Sequence, residues 1–485
     1  MYIDLSNPKI SNINTATNLQ KTNLQTSIPL LHHSSNILTG PKLDFIKPRG
    51  KKVYIETYGC QMNVADSEIV SSIMLSEGFS ITDTADNADV ILLNTCSIRD
   101  NAEKKIFHRL AHLRRYKKKK FKLVVGILGC MAERLKSKLI GEQDLVSIVV
   151  GPDEYRNLPA LVESAIGGEQ GIAVKLSKVE TYDDIIPLRT EGFSAWISIM
   201  RGCNNFCAFC VVPYTRGRER SRPMDSVVKE AIGLYENGIK EITLLGQNVN
   251  SYRDEKNGND FPDLMIAIAK EVPELRIRYS TSHPHDMSDR LIEAHRDYKA
   301  ISNYIHLPVQ AGSNNILKKM RRDYTREQYL QRIEMIRKYV PGVALTTDVI
   351  AGFCSETEED HQETLSLMRE VRYDGAYMYK YSPRENTLAW KYEDDVPEEV
   401  KARRLQEIID QQHAVAAELN KEEIGRTHEV LVEGEGKRKG TGWQGRSESN
   451  KVCFFPYQEG IKSGDLINVK ITSSTSATLF GEVVL

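Results

Sequence analysis

Three cysteines, Cys203, Cys207 and Cys210, lie close together as a CxxxCxxC pattern. Thiolates spaced in this way can bind three irons of a cubane cluster and leave the fourth iron without a protein ligand. Zinc is the alternative for closely spaced cysteines, but it favours a closed tetrahedral ligand set. The chain has no histidine between His112 and His283, and no fourth cysteine lies nearby. We therefore predict an iron-sulfur cluster at these residues, called the central cysteines below.

The central cysteines and the aromatic residue before the last of them form a recognisable motif. This motif resembles the signature of the radical S-adenosylmethionine (SAM) enzymes. The resemblance implies that SAM binds the open iron through its amino and carboxylate groups, and that Phe209 lies beside the adenine of SAM.

Composition and charge limit what the chain can be. Its 485 residues suggest about three domains. The 65 Lys and Arg residues nearly balance the 66 Asp and Glu residues, so a nucleic-acid partner must be argued from local patches. The eight cysteines are dispersed, and no segment approaches the ~18 apolar residues of a membrane span. We expect a cytoplasmic protein without membrane contact.

Changes of pattern along the chain predict four regions. Residues 1–50 lack the basic start and apolar core of a signal peptide and are expected to be a poorly ordered extension. An N-terminal domain follows at 51–166, a central domain at 189–420 and a C-terminal domain at 423–485. A polar connector spans roughly 167–192.

The N-terminal domain repeats one unit three times. An apolar, β-branched run is followed by a cysteine and then by the polar start of an amphipathic helix; the three cysteines are Cys60, Cys96 and Cys130. Apolar runs that alternate with helices indicate a doubly wound parallel sheet, in which the carboxyl ends of the strands meet at one edge. Gly59 and Gly129 would allow close approach of the backbone there.

These three residues, called the N-terminal cysteines below, therefore predict a second cluster with one open iron. Each lies before a helix N-terminus, whose partial positive charge favours a thiolate. A buried structural cysteine is the alternative at each position taken singly, and the repetition favours the cluster. Cys354 and Cys453 lack such a context and are expected to lie in the core.

The central domain shows six alternating strand and helix patterns, which predict an open, partial (β/α)6 barrel with active residues at the carboxyl ends of the strands. The predicted strands begin near Ala195, Glu241, Leu275, Asn303, Val343 and Gly375. The central cysteines follow the first of these strands, as that arrangement requires.

Loops at the same face carry further candidates for SAM binding. Gly246 and Gln247 end the second strand, where radical SAM enzymes usually have a Gly-Gly-Glu motif; here the acid is absent. Asp348 and the following stretch to Glu356 resemble the glycine-rich strand beside adenine, although a strand ending in a glycine turn and a helix start explains that stretch about as well.

Three histidines, His283, His285 and His306, lie near strand ends. We expect structural or substrate-contact roles for them rather than catalysis.

Two basic runs, residues 114–120 and 216–222, are candidates for RNA contact. Such a run is usually a solvated helix end, but the second borders the active mouth, where Arg suits phosphate oxygens.

The sequence of the C-terminal domain indicates short strands separated by glycine-rich turns. This pattern predicts a small antiparallel β-barrel. It resembles a TRAM domain, an RNA-binding barrel. A mixture of basic and aromatic residues in it could bind RNA, with a solvated hairpin loop as the alternative; these residues are Lys437, Arg438, Lys439, Trp443 and Arg446.

The order of an α/β domain with three cysteines, a radical SAM barrel and a TRAM-like barrel resembles the methylthiotransferase family of radical SAM enzymes. The members that act on isopentenyl-adenosine of tRNA are most similar, on residues 58–63 (Tyr-Gly-Cys-Gln-Met-Asn), the spacer 204–206, the continuation 211–217 and residues 247–252. A family member acting on threonylcarbamoyl-adenosine or on an Asp of a ribosomal protein is a close alternative. A non-catalytic RNA-binding redox sensor is a distant one.

The resemblance implies a reaction, its cofactors and its partners. A methylthio group would be added to carbon 2 of N(6)-isopentenyl(dimethylallyl)adenosine at position 37 of tRNA, with two [4Fe-4S] clusters and SAM as cofactors. The central cysteines would hold the cluster that cleaves SAM, and the N-terminal cysteines the cluster that carries sulfur. Expected partners are the tRNA anticodon stem-loop, a low-potential electron donor such as flavodoxin or ferredoxin, and iron-sulfur assembly or carrier proteins.

Overall fold

The computed structural model of the chain describes residues 38–41, 46–97, 100–142, 144–190, 192–436 and 442–484. They form an N-terminal α/β unit, a central partial barrel and a closed C-terminal barrel. No helix within these ranges is both long and apolar enough to span a membrane.

The N-terminal unit is a six-stranded parallel sheet with the strand order β2-β1-β3-β4-β5-β6. Its strands are β1 (Lys52–Thr57), β2 (Ser80–Ile81), β3 (Val90–Thr95), β4 (Val124–Gly129), β5 (Ile148–Val150) and β6 (Gly171–Ala173). Its helices are α1 (Gln61–Ser76), α2 (Asp100–Lys119), α3 (Cys130–Leu135), α4 (Lys138–Glu142) and α5 (Leu158–Ile166).

The buried strands explain why the apolar runs are continuous rather than alternating. Every residue of β3 and of β4 is buried, because helices cover both faces of the sheet. The sixth strand lies beyond residue 166, within the stretch predicted to be a connector.

The central unit confirms the predicted partial barrel. Its strands are β7 (Ser194–Ser198), β8 (Met200–Arg201), β9 (Arg220–Ser221), β10 (Glu241–Leu245), β11 (Arg276–Ser280), β12 (Tyr304–His306), β13 (Ala344–Ala351) and β14 (Gly375–Lys380). Its helices are α6 (Val212–Thr215), α7 (Met224–Glu236), α8 (Phe261–Glu271), α9 (Asp289–Asp297), α10 (Asn314–Lys319), α11 (Arg326–Tyr339), α12 (Glu358–Val371) and α13 (Glu398–Lys421).

The barrel wall consists of two parallel sheets, β7-β10-β11 and β12-β13-β14. A parallel bridge between Ile277 and Ile301 joins them. Helices packed outside the wall bury a continuous apolar core. The six wall strands therefore open their carboxyl ends towards one mouth, where the sequence places the candidate chemistry.

The C-terminal unit is a closed barrel in the order β15-β16-β17-β19-β18. Its strands are β15 (Thr427–Glu435), β16 (Trp443–Ser447), β17 (Val452–Phe455), β18 (Leu466–Ser474) and β19 (Leu479–Val483). The barrel is antiparallel as predicted, except that β17 and β19 pair in parallel. β16 was not predicted as a strand, because its Gln, Gly and Arg residues interrupt the apolar alternation that marks strands.

The C-terminal barrel packs against the amino-terminal ends of the central strands. Arg278 of β11 donates hydrogen bonds to the Ser447 and Glu448 carbonyl oxygens at 2.8 and 3.0 Å. Lys451 forms an ion pair with Asp374, just before β14, at 2.8 Å. The C-terminal barrel therefore lies at the end of the central barrel opposite the mouth.

A buried ionic network joins the N-terminal unit to the central barrel. Asp66 of α1 pairs with Arg201 at 2.9 Å and with Arg216 at 2.8 Å, and Asp153 pairs with Arg220 at 2.7 Å. Burial would raise the pKa of Asp66, but the two guanidinium groups outweigh it and hold the pKa below its usual value. Because removal of one partner would leave a buried charge uncompensated, this network fixes the two units relative to each other.

Two described pieces of the predicted N-terminal extension contact different units. The Arg49 N–H donates to the Gly78 carbonyl oxygen of the N-terminal unit at 2.7 Å, whereas residues 38 and 39 lie on the central unit. The backbone of Thr39 pairs with that of Arg189, and Leu38 packs against the central core.

The docking of the C-terminal barrel generates a prediction about pH. His428 lies between Glu423 and Glu448, with its ring nitrogens 3.1 and 3.0 Å from their carboxylates. These hydrogen bonds and charges raise the pKa of His428 to about 9, so the folded state favours the protonated ring. The resulting stabilisation, at most about 3 kcal/mol, is fully present below pH ~6.5 and is lost as the pH rises towards ~9.

We expect His428→Gln to lower the thermal midpoint relative to wild type at pH 6, and to do so much less at pH 9.5. His285→Gln is the matched control, because that side chain is 61% exposed. An equal loss for His428→Gln at both pH values would contradict the assignment.

Candidate active site

The N-terminal cysteines meet at one edge of the sheet, as predicted. Cys60 follows β1 and caps α1, Cys96 follows β3, and Cys130 is the first residue of α3 after β4. Since β1, β3 and β4 are neighbours in the sheet, the three thiols lie at adjacent strand ends.

Two glycines allow the backbone to approach closely at this edge. Gly59 has a φ of +141°, and a Cβ there would lie 2.8 Å from the Cβ of Cys96. Gly129 has a φ of +87°, and a Cβ there would lie 2.6 Å from the Thr95 carbonyl oxygen. Any other residue at either position would push the cysteine-bearing strand ends apart.

A buried amide pair fixes the same strand ends. Asn63 donates to the Asn94 side-chain oxygen and to the Thr95 carbonyl oxygen, both at 3.1 Å, and Asn94 donates back to the Asn63 carbonyl oxygen at 2.8 Å. The Cys60 sulfur lies 3.4 Å from the Asn63 side-chain oxygen. Asn94 was not among the predicted site residues; its signal in the sequence is a polar residue inside an otherwise apolar strand.

The N-terminal cysteines face the mouth of the central barrel. The Nε of Arg216 donates to the Cys130 sulfur at 3.3 Å. Arg384, which follows β14, lies close enough to Cys96 for their charges to interact. Cys60 packs against a small apolar cluster that includes Leu245, the last residue of β10. Each N-terminal cysteine is thus in the neighbourhood of a different part of the mouth.

The central cysteines lie in the loop after β8, at the carboxyl end of the first wall strand. The loop is closed at its base, because the Cys203 N–H donates to the Gly217 carbonyl oxygen at 3.1 Å. Gly202 has a φ of +80°, and a Cβ there would lie 2.0 Å from the Arg218 carbonyl oxygen. Cys210 in turn donates its N–H to the Cys207 carbonyl oxygen at 3.0 Å.

Arg322 is a second arginine in contact with a candidate ligand. Its Nη1 donates to the Cys207 sulfur at 3.3 Å, and its Nη2 donates to the Pro308 carbonyl oxygen at 2.7 Å. Nothing in its sequence context marked this residue.

Burial opposes the ionisation of three of these six thiols. It raises the pKa of Cys203 to about 12, and it raises the pKa values of Cys210 and Cys130 as well. At Cys130, Arg216 lowers the pKa but does not offset the burial. At Cys130 the thiolate expected from the helix N-terminus is therefore not favoured by the protein alone, and metal binding there must displace a proton.

Both cysteine sets fit an iron-sulfur cluster better than zinc. Tetrahedral zinc at about 2.3 Å from each thiolate needs sulfurs roughly 4 Å apart. Within the described ranges, three metal-binding atoms that all lie within 4.8 Å of one another occur only in Glu358, His361 and Glu407. The cysteine sets are more open, consist of soft sulfur donors, and face buried guanidinium groups that suit an anionic cluster.

The residues expected to contact SAM differ in their surroundings, and some of them have partners within the protein. Phe209 is half-buried against the barrel core. Gly246 lies against Met200, where a Cβ would be 2.6 Å from the Met side chain. Gln247, expected to accept from SAM, instead accepts from the Gly202 N–H at 2.5 Å and so supports the cysteine loop.

Asp348 and Glu356 have protein partners. The Asp348 carboxylate lies 3.6 Å from the Nε2 of His306. Glu356 accepts from the Gly352 N–H at 2.7 Å and from Arg404 at 3.0 Å, and burial raises its pKa to about 7. These contacts join the turn after β13 to α13. They agree with the structural interpretation of this stretch, in which a strand ends in a glycine turn before a helix.

The three histidines differ in their surroundings. His285 is exposed, and burial lowers the pKa of His306. His283 is 5% exposed, neither of its ring nitrogens has a hydrogen-bond partner among the described residues, and its ring lies 5.7 Å from that of Tyr324. Burial, with Arg322 nearby, lowers the pKa of His283 to about 2, so the ring is neutral.

The prediction that the run 216–222 contacts phosphate was wrong for three of its arginines. Arg216 and Arg220 are buried in ion pairs with Asp66 and Asp153 of the N-terminal unit. Arg222 is buried in an ion pair with Glu230 of α7, within the central unit. Arg218 alone of the four arginines in this run is exposed.

The other candidates for RNA contact also include both exposed side chains and side chains with partners inside the protein. The run 114–120 ends α2, and most of its side chains are exposed. Trp443 is buried and stacks on Tyr457, and Arg446 pairs with Glu433 at 2.8 Å, so these two residues are used within their barrel. Lys437, Arg438 and Lys439 lie outside the described residues. Cys354 and Cys453 are buried in the core as expected.

Three family models match the chain in the predicted order. Residues 52–151 match the uncharacterized protein family UPF0004, residues 197–368 the radical SAM superfamily, and residues 421–484 the TRAM domain.

Among solved structures, the radical SAM methyltransferase TsrM from Kitasatospora setae is similar in fold. Its TM-score is 0.52 at 14% identity, covering 68% of this chain and 72% of that one.

Relatives in sequence are much closer. A tRNA-2-methylthio-N(6)-dimethylallyladenosine synthase of Chloroherpeton thalassium is 53% identical over 89% of this chain and 96% of its own length. Proteins of the same name from Bacteroides fragilis and Porphyromonas gingivalis are 54% and 52% identical, each over 90% of this chain and 96% and 95% of their own lengths. With this identity over nearly the full length of its relatives, the chain belongs to the family of tRNA-2-methylthio-N(6)-dimethylallyladenosine synthases.

Proposed function

We propose that the protein adds a methylthio group to carbon 2 of N(6)-dimethylallyladenosine at position 37 of tRNA. The observation that carries this proposal is the placement of two separate sets of three cysteines around one mouth. One set would hold the cluster that binds SAM, and the other the cluster that carries sulfur. The names of the close relatives supply the substrate.

The cofactors supply what amino acids cannot. When bound, the two [4Fe-4S] clusters and SAM provide the radical, the sulfur and the methyl group that together replace an unactivated C–H hydrogen of adenine. The protein contributes position: the closed loop after β8 fixes the central cysteines, and the Asn63–Asn94 pair fixes the strand ends of the N-terminal cysteines.

The exposed residues beside the central cysteines suit an unpaired RNA loop. The Arg218 guanidinium lies 4.2 Å from the centre of the Phe206 ring, and Tyr214, which is 43% exposed, packs edge-on against Phe206 at 6.1 Å. Aromatic rings stack with unpaired bases, and an exposed arginine can bind phosphate. We assign this group, called the rim cluster, to the nucleotides next to the reacting base.

The remaining partners and the location follow from the chemistry. Reductive cleavage of SAM needs a low-potential donor such as flavodoxin or ferredoxin, and cluster loading needs iron-sulfur carrier proteins. None of the eight cysteines forms a disulfide, which is consistent with a reducing, cytoplasmic setting.

Iron content tests the two-cluster assignment. After anaerobic reconstitution of the full chain, we expect about eight irons per wild-type chain, since each set of three thiolates would hold one four-iron cluster. The triple variant Cys60→Ala, Cys96→Ala, Cys130→Ala should retain about four, as should the triple variant Cys203→Ala, Cys207→Ala, Cys210→Ala.

The double variant Cys354→Ala, Cys453→Ala is the control and should retain about eight, because both residues are buried core cysteines. If the wild type holds only four irons, or if the N-terminal triple variant loses none, the N-terminal cysteines are structural and the methylthiotransferase assignment fails.

Affinity for a tRNA anticodon stem-loop tests the rim cluster. We expect Arg218→Ala to weaken binding by roughly 3–10-fold and to reduce the slope of log K against log salt by about one, because one phosphate contact is lost. Arg296→Ala is the control, since this arginine is exposed on α9, where it pairs with the adjacent Asp297 and lies over the Tyr339 ring. Unchanged affinity and slope for Arg218→Ala would remove the rim cluster from the RNA contact.

A further inference from the structure

Arg216 occupies a position between the two cysteine sets. It directly follows α6, and α6 begins two residues after Cys210, the last of the central cysteines. Its guanidinium reaches across to the N-terminal unit, where Nε donates to the Cys130 sulfur at 3.3 Å and Nη2 donates to Asp66 at 2.8 Å. One short segment therefore connects a candidate ligand of one cluster to a candidate ligand of the other.

One hydrogen-bond donor of the Arg216 side chain has no acceptor among the described residues. This donor, Nη1, is buried. The surrounding network also has an excess of positive charge. In the described part of the chain, the guanidinium groups of Arg201, Arg216 and Arg220 form ion pairs with only two carboxylates, those of Asp66 and Asp153. A buried excess of positive charge and an unmet donor both favour an anion nearby.

A cluster bound by three thiolates would provide that anion. Three thiolate charges exceed the 2+ charge of an oxidised [4Fe-4S] core, so the bound cluster is negative overall. Net charge and hydrogen bonds to sulfur are among the factors that set the reduction potential of such clusters.

We infer that Arg216 is a positioning residue for the cluster of the N-terminal cysteines: it holds the Cys130 thiolate in place and stabilises the reduced, more negative form of that cluster. This inference rests on the proposed second cluster. It goes further, because it proposes that Arg216 of the central barrel sets the reduction potential of a cluster that the N-terminal unit holds. A purely structural ion pair with Asp66 is the competing role.

The experiment isolates the second cluster in the full chain. The background carries Cys203→Ala, Cys207→Ala and Cys210→Ala, so that reconstituted iron belongs to the N-terminal cysteines. The midpoint potential of this cluster is measured by a redox titration followed by electron paramagnetic resonance. We expect Arg216→Gln to shift the midpoint to a more negative potential, and Arg216→Lys, which keeps the charge, to shift it less.

Two further variants separate this role from a structural one. Arg220→Gln removes another buried arginine of the same network that donates to Asp153 rather than to a cysteine, and it should shift the midpoint much less than Arg216→Gln does. Asp66→Asn combined with Arg216→Gln removes both members of the pair and serves if Arg216→Gln alone does not fold. Compared with Asp66→Asn alone, the double variant should show a negative shift, because the two differ only in the Arg216 side chain.

The outcomes distinguish the inference from the proposal beneath it. If the background variant binds no iron, the second cluster itself is wrong. If it binds about four irons and the midpoint is the same with and without Arg216, or if Arg220→Gln shifts it equally, the second cluster stands and the role of Arg216 is overturned.

Discussion

The buried pairing of Asp66 with Arg201 and Arg216 is the interaction on which the rest of the site depends. Asp66 comes from the helix that Cys60 caps, whereas Arg201 and Arg216 flank the central cysteines. All three side chains are buried, so the loss of one would leave the others without compensation in a medium of low dielectric. The pairing therefore holds two cysteine sets from different units at one mouth, which neither unit could achieve alone.

Parallel sheets explain why each unit brings its own cysteines together. In both units the carboxyl ends of parallel strands meet at one edge, so residues far apart in sequence become neighbours. Gly59, Gly129 and Gly202 then allow the backbone approach that side chains would prevent. The chemistry is thus concentrated by strand direction, and the fine placement depends on glycine and on buried amide pairs.

The strands, the helices and the two cysteine sets could be predicted from the sequence, because each of them depends on a local pattern of residues. Apolar runs followed by cysteines mark β1, β3 and β4, and the wall strands begin within one residue of the predicted positions. The partners of the arginines could not be predicted in this way. A run such as 216–222 is typical of a solvated or phosphate-binding patch. Only tertiary packing converts three of its charges into buried ion pairs, with partners on α1, on the loop after β5 and on α7. Gln247 shows the same limit, since its partner is backbone that lies far away in sequence.

The position of the C-terminal barrel constrains how RNA can bind. Arg276, Ser302 and Asp374 contact this barrel, and all three lie at the amino-terminal ends of the wall strands. Apart from the three-residue β12, the wall strands have five to eight residues and separate those ends from the mouth by roughly 17–26 Å, at about 3.3 Å per residue. An RNA that contacts both the TRAM-like barrel and the rim cluster must therefore lie along the flank of the central barrel. An extended stem-loop has that shape, with its paired stem towards the C-terminal barrel and its unpaired loop at the mouth, where a base can leave its stack at low cost.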